Sequence, residues 1–272
     1  MTMSVPLFLK LGGSLITDKT RPYTPRMDLI RRLAREVREA QEKEPDLRLL
    51  AGHGSGSFGH QAAAPYGTRQ GVHTPEQWQG YAYVSAAAAR LNRLVTDALL
   101  EAGVPVLSLQ PSASARCRSG VLLHLETDPI REALAHGLVP LVYGDVALDE
   151  VHGGTIVSTE DLFAYLAGIL SPQRILLVGE APGVLDEHGD VISFICPSTF
   201  PTVRPLLSGS RGVDVTGGMA DKVARMVGLV EDRPGLIVHI LSGLEPGLVC
   251  RALLDPDLPV GTRIGSRFGE CS

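Results

Sequence analysis

Short apolar, β-branched runs recur along the chain, "VPLFLKL", "LRLLA", "VPVLSL", "LVPLVYG", "RILLVG" and "LIVHIL", each with the length of a strand buried on both faces. Between them the period changes. From Pro25 to Glu44, the residues Met27, Ile30, Leu33, Ala34 and Val37 recur at helical spacing with Arg and Glu opposite, the pattern of an amphipathic helix. A second long helix is predicted from about Pro75 to Ala102 and a third from Gly217 to about Glu231. Continuously apolar strands alternating with helices predict an α/β fold with a mainly parallel sheet covered on both faces.

Ligands in such sheets bind beyond the carboxyl ends of the strands, and glycines cluster there: "KLGGS", "GHGSGSFGH", "YGDV" and "VGEAPGV". No internal repeat or low-complexity tract interrupts the pattern. The stretch around Ser171 and Pro172 marks a joint between two halves, residues 1–170 and 171–272, of one domain.

The net charge of -5 and the absence of a Lys/Arg block argue against a nucleic-acid partner and for a small molecule. The amino-terminal "MTMSVPLFLKLGGS" has no basic leader, and its apolar run is too short for a signal peptide or a membrane span, so a soluble cytoplasmic protein is expected. Cys117, Cys196, Cys250 and Cys271 form no C-x-x-C pair, which argues against a zinc site, a redox motif or a disulfide framework.

The candidate chemistry lies in the glycine turns. In "LKLGGSLITDK", Lys10 ends an apolar strand, Gly12 and Gly13 form the turn after it, and Lys19 follows. Bare amides beside a fixed ammonium suit phosphate oxygens, and a lysine in an apolar strand calls for an anionic partner. In "HGSGSFGH", three glycines and two serines between His53 and His60 let backbone approach an anion closely. His60 can add a hydrogen bond or charge to a phosphate, whereas His53 is expected to pack at the strand end. "DVTGGMADKVARM" sets Gly217 and Gly218 at a helix start with Lys222 in its first turns, a cation placed where an anion is favoured. In "GGTIVSTEDLFAYLAG", Ser158 and Asp161 fit a capping box. No G-x-x-x-x-G-K-[ST] occurs, and no dinucleotide fingerprint is completed.

With Lys10, Gly12, Gly13, Ser14, "HGSGSFGH", "GDV" at Gly144 to Val146 and "DVTGGMADKV" in order, the chain resembles the amino acid kinase superfamily and, within it, the isopentenyl phosphate kinase family. The resemblance spans nearly the whole chain. It implies an open αβα sandwich, commonly a homodimer, in which residues 1–170 take the acceptor and residues 171–272 the nucleotide. It implies transfer of the γ-phosphoryl group of ATP, with Mg2+, onto isopentenyl phosphate. Carried over by position, Lys10, Lys19 and Lys222 contact the transferring phosphates, Gly12, Gly13 and Ser14 line them, and Asp161 orients the lysines. Ser55, Gly183 and Gly218 join the nucleotide side; Gly54, Gly59, His60 and Gly154 join the acceptor side. Three departures stand out. Ser55 replaces a usual glycine, "GEAPGVLD" replaces an aspartate-rich run, and "STEDL" replaces a glycine-and-aspartate form. A sister kinase for another acceptor, of fosfomycin or uridylate type, and a non-catalytic nucleotide- or oxyanion-binding protein on the same fold remain as alternatives.

Overall fold

A computed structural model describes residues 5–209 and 218–266. In chain order the strands are β1 (Leu7–Leu11), β2 (Leu49–His53), β3 (Val106–Ser108), β4 (Arg116–Arg118), β5 (Val121–His124), β6 (Val139–Tyr143), β7 (Asp145–Asp149), β8 (Gly153–Val157), β9 (Arg174–Gly179), β10 (Phe194–Ile195), β11 (Ile237–Ser242) and β12 (Thr262–Ile264). The α-helices are α1 (Gly13–Ile16), α2 (Met27–Lys43), α3 (Gly56–Ala63), α4 (Pro75–Glu101), α5 (Asp128–Ala135), α6 (Thr159–Leu170), α7 (Phe200–Val203), α8 (Gly218–Asp232) and α9 (Leu248–Leu254). All six apolar runs form strands, and the three predicted helices correspond to α2, α4 and α8; Gly217 and Cys271 lie outside the described residues.

Eight strands make one sheet in the order β10-β12-β11-β9-β1-β2-β6-β3, parallel except where β11 meets β12. The chain runs outward from β1 in one direction through β2 and β6 and later in the other through β9 and β11, so β1 borders the switch point where open parallel sheets form ligand crevices. Between the two runs of strands, α6 ends at Leu170, and Ser171 caps it in the left-handed conformation.

Pleating sorts β1 between two cores. Leu7, Leu9 and Leu11 join the core under α2, α4 and α9, with Ile30, Leu33, Leu91 and Leu248. Phe8 joins the opposite core under α5, α6 and α8, with Ile130, Phe163 and Val223. By the same alternation Lys10 points to the second face, toward α6 and α8. A smaller sheet, β5-β4-β7-β8, stands beside the main one. The hydrophobic pattern gave no warning of it because β4 and β5 are short and carry Arg116, Arg118 and His124 among their few apolar positions.

Candidate active site

The turns after β1 and β2 meet backbone to backbone. A Cβ on Gly13 would lie 2.4 Å from the Gly56 nitrogen, and one on Gly54 would lie 2.8 Å from the Gly13 nitrogen. Gly56 also has φ +49°, a conformation that disfavours any side chain. Thr17, fully buried, locks the two turns together: its hydroxyl donates to the Gly13 carbonyl at 2.7 Å and accepts the Ser57 amide at 2.9 Å. The N–H groups of Gly13, Ser14, Ser55 and Gly56 donate to no acceptor among the described residues, leaving a nest of amides for an anion.

Ser55 sits in the right-handed helical region, φ -78° and ψ -12°, as the residue before α3, so a serine there costs nothing in backbone conformation. Its side chain lies over Gly59, where a Cβ would come within 2.1 Å of Ser55 Oγ. His60 stands one turn into α3, partly exposed.

Lys10 pairs in register with Gly52 of β2. The bare Gly52 lets Thr159 and Phe163 of α6 press onto the sheet; a Cβ there would clash with both at under 3 Å. Phe163 packs against Phe8 with ring centroids 5.1 Å apart and the rings tilted by 60°. One residue from Thr159, Glu160 therefore arrives beside Lys10. The Lys10 ammonium donates to Glu160 Oε1, and Lys222 of α8 approaches the same oxygen to 4.0 Å. Burial pushes the Glu160 carboxyl upward, but the two ammonium groups outweigh it and hold it down to about 2. Burial, opposed by Glu160 and aided by Lys222, lowers Lys10. Two cations from different halves of the chain thus share one anion beside the amide nest.

Asp161 does something else. Its carboxylate accepts the Ser158 amide at 3.0 Å and the Ser158 hydroxyl at 2.6 Å, completing the capping box, and it pairs with Arg225. The carboxylate between the lysines is Glu160, which corrects the orienting role expected for Asp161: the helix start turns the capping side chain back onto its own backbone and leaves its neighbour to face β1. Lys19 occupies the exposed tip of a hairpin closed by the Thr17–Pro25 bridge and, among the described residues, does not join Lys10 and Lys222 at Glu160. Gly154 is a packing glycine: its amide donates to the His152 carbonyl, and Tyr81 and Val72 cover its Cα so closely that a Cβ would sit 2.9 Å from each. Gly183 packs against Val191 and Thr262. Gly218 opens α8, which carries Lys222 one turn in.

Four contributors went unnoticed in the sequence. Glu160 was masked by the capping signal of its neighbour, and Thr17 looked like an ordinary residue after an apolar pair. Arg225, three residues beyond Lys222 on the same helix face, was findable from that spacing. Arg26 pairs with Glu180 at 2.7 Å, joining the base of the Lys19 hairpin to the turn after β9, so the first residue of the divergent "EAP" segment has a structural partner.

A cavity of about 230 Å3 opens between the Lys19 hairpin, α3 and α4, lined by Tyr23, Ala62, Tyr66, Tyr83, Ala86 and Arg90. Ala86 faces it, while Ala88 is buried on another side of α4.

At the switch point of a mainly parallel sheet Lys10, Lys222, Glu160 and bare turn amides thus lie together, and the chain belongs to the amino acid kinase family, whose sequence pattern matches residues 6–242. Within that superfamily it belongs with the isopentenyl phosphate kinases. The enzyme of that name from Methanothermobacter thermautotrophicus is 34% identical across 95% of this chain and 98% of its own length. The one from Haloferax volcanii is 39% identical across 89% and 97%. A crystallised isopentenyl phosphate kinase superposes with a TM-score of 0.79 at 31% identity, covering 95% of this chain and 99% of that one.

Proposed function

We propose that the protein transfers the γ-phosphoryl group of MgATP to isopentenyl phosphate, giving isopentenyl diphosphate and ADP. The observation that carries this reading is the convergence of Lys10 and Lys222 on Glu160 beside the abutting Gly13 and Gly56 turns. Two phosphates meeting in line bring a concentration of negative charge, and catalysis consists chiefly of aligning them and compensating that charge. The names of the relatives point to the acceptor.

In this reading residues 1–170 hold the acceptor and residues 171–272 the nucleotide. An oxygen of the acceptor phosphate attacks the γ-phosphorus, the bond to the β,γ-bridging oxygen breaks, and ADP leaves with that electron pair. The amides of Gly13, Ser14, Ser55 and Gly56 and the ammonium groups of Lys10 and Lys222 receive the phosphate oxygens, with Gly12, Gly54 and Gly59 keeping the backbone close. His60 donates a hydrogen bond to the acceptor phosphate, and Lys19 reaches over the transferring group from its hairpin. Glu160 holds the two ammonium groups apart and aimed. No general base is required, because a phosphate monoester with a second pKa of about 6 is already mostly dianionic at neutral pH. The donor set is cationic and amide-rich, which suits the phosphate oxygens. Magnesium would arrive on the nucleotide phosphates, where it offsets their charge. We also propose a cytoplasmic homodimer; among the described residues no helix is long and apolar enough to cross a membrane.

A coupled ADP-release assay with isopentenyl, dimethylallyl and longer prenyl phosphates beside uridylate and fosfomycin tests the reading. Preference for a short prenyl phosphate is expected. Faster turnover of uridylate or fosfomycin reassigns the acceptor, and inertness with the whole panel removes the activity.

A further inference from the structure

His53 closes β2 directly before the phosphate loop and is fully buried. Its ring stacks in parallel on Tyr143, with centroids 5.6 Å apart. Nδ1 lies 3.0 Å from the carbonyl oxygen of Gly54, and Nε2 lies 3.2 Å from the atom placed as Oδ1 of Asn92 on α4. That amide in turn meets the Ser108 hydroxyl on β3 at 2.6 Å. The carbonyl of His53 itself accepts the Thr159 hydroxyl at 2.6 Å and the Gly144 amide at 3.1 Å. One buried residue thus touches the start of the phosphate loop through its ring and, through its carbonyl, the residue next to Glu160.

The directions of these bonds follow from counting protons. Burial holds the ring below the usual histidine range despite its hydrogen bonds, and Lys10 nearby acts the same way, so the ring is neutral and has one N–H to give. The Gly54 carbonyl can only accept, so that N–H is on Nδ1. A bare Nε2 cannot face Asn92 Oδ1, so the Asn92 amide, whose O and N ends are assigned from the surrounding network, is turned over: its NH2 donates to Nε2 and its oxygen accepts from the Ser108 hydroxyl. In a trans peptide, C=O and N–H point to opposite sides of the chain. Holding the Gly54 carbonyl toward the ring therefore turns the Ser55 N–H away from the core, and that N–H finds no acceptor among the described residues.

We propose that the His53–Asn92–Ser108 chain is a positioning device that fixes the Gly54–Ser55 peptide with its N–H, rather than its carbonyl, toward the bound phosphate. Without it that peptide, which begins at the unhindered Gly54, is free to flip, and a carbonyl facing a dianion repels it. His53, Asn92 and Ser108 are positioning residues; none of them touches the reacting atoms. The inference rests on the proposed phosphate-transfer reading for its kinetic consequence but not for its geometry.

Two measurements test it. The 15N spectrum of histidine-labelled protein, with the His53 signal assigned by its change in Asn92→Leu, should show a proton on Nδ1 at neutral pH; a bare Nδ1 overturns the proposal. In kinetics, Asn92→Leu should raise the KM for isopentenyl phosphate about tenfold while the KM for ATP moves less than twofold. Ser108→Ala should act in the same direction more weakly, and Ser108→Thr, which keeps the hydroxyl, should restore the wild-type KM. Variants that lose thermal stability but keep the acceptor KM contradict the proposal, since a merely structural network would behave that way. If the wild-type protein turns over no acceptor, the phosphate-transfer reading has failed independently, and the ring proton still decides whether the loop is held as described.

Discussion

Replacing Glu160 with Gln removes the anion that Lys10 and Lys222 share while keeping the side chain's size. A carboxyl held at about 2 instead of its ordinary 4.5 corresponds to roughly 3 kcal/mol, at about 1.36 kcal/mol for each tenfold change in proton affinity. That agrees with the roughly 3–5 kcal/mol for breaking a buried pair and leaving one charge uncompensated; Lys10 is only 6% exposed. For a domain of this size about 3 kcal/mol lowers Tm by roughly 5–10 °C, readable by calorimetry at pH 7.5. Because the folded carboxyl titrates below the unfolded one, its contribution is present above about 4.5 and is lost as pH falls toward about 2. The variant should therefore lack this segment of the acid-stability curve. Turnover should fall at least tenfold, since the ammonium groups lose the group that aims them. ATP should raise the Tm of the variant more than that of the wild type, because phosphate oxygens supply the missing anion. Asp161→Asn serves as the neighbouring control: it weakens a helix cap worth about 1 kcal/mol and should leave most of the turnover. If Asp161→Asn abolishes turnover while Glu160→Gln matches the wild type in Tm and rate, the assignment of Glu160 is refuted.

His60→Ala should raise the acceptor KM or depress kcat strongly while the ATP affinity, measured by titration calorimetry, stays nearly constant; unchanged kinetics would remove His60 from the acceptor site. Gly56→Ala, forced into a left-handed conformation with its Cβ 2.2 Å from Thr17 Oγ1, should cost more than about 2 kcal/mol or prevent folding. Ser55→Gly should stay within about 1 kcal/mol, as compared by urea denaturation. Ala86→Leu should narrow the cavity beside α3 and select against longer prenyl phosphates. Ala88→Leu overfills the core and should lower stability by about 1–3 kcal/mol; equal losses for short and long tails in Ala86→Leu would detach that cavity from the substrate.

The main sheet was legible because a strand buried on both faces is written as an unbroken apolar run, as in "RILLVG". The need for a buried anion was legible in Lys10, since an ammonium in such a strand needs a partner. The partner itself was not legible. Glu160 lies 150 residues away and reaches Lys10 only because β1 alternates faces and Gly52 admits α6 to the sheet. Local reading assigned the capping role of Asp161 correctly and could not tell which of two adjacent carboxylates looks inward. His53 was readable as a packed strand end, but Asn92 and Ser108 belong to a helix face and an edge strand whose meeting depends on sheet order. The turn around Gly56 announced its close approach through glycine itself, whereas the clasp of Thr17 carries no sequence signature.

Whether the site joins one phosphate to another is read in a 31P spectrum of purified protein incubated with MgATP and isopentenyl phosphate. The monophosphate resonance should give way to the paired doublets of a prenyl diphosphate in step with ADP. An untouched monophosphate beside intact ATP, or ATP hydrolysed to inorganic phosphate alone, would contradict that transfer.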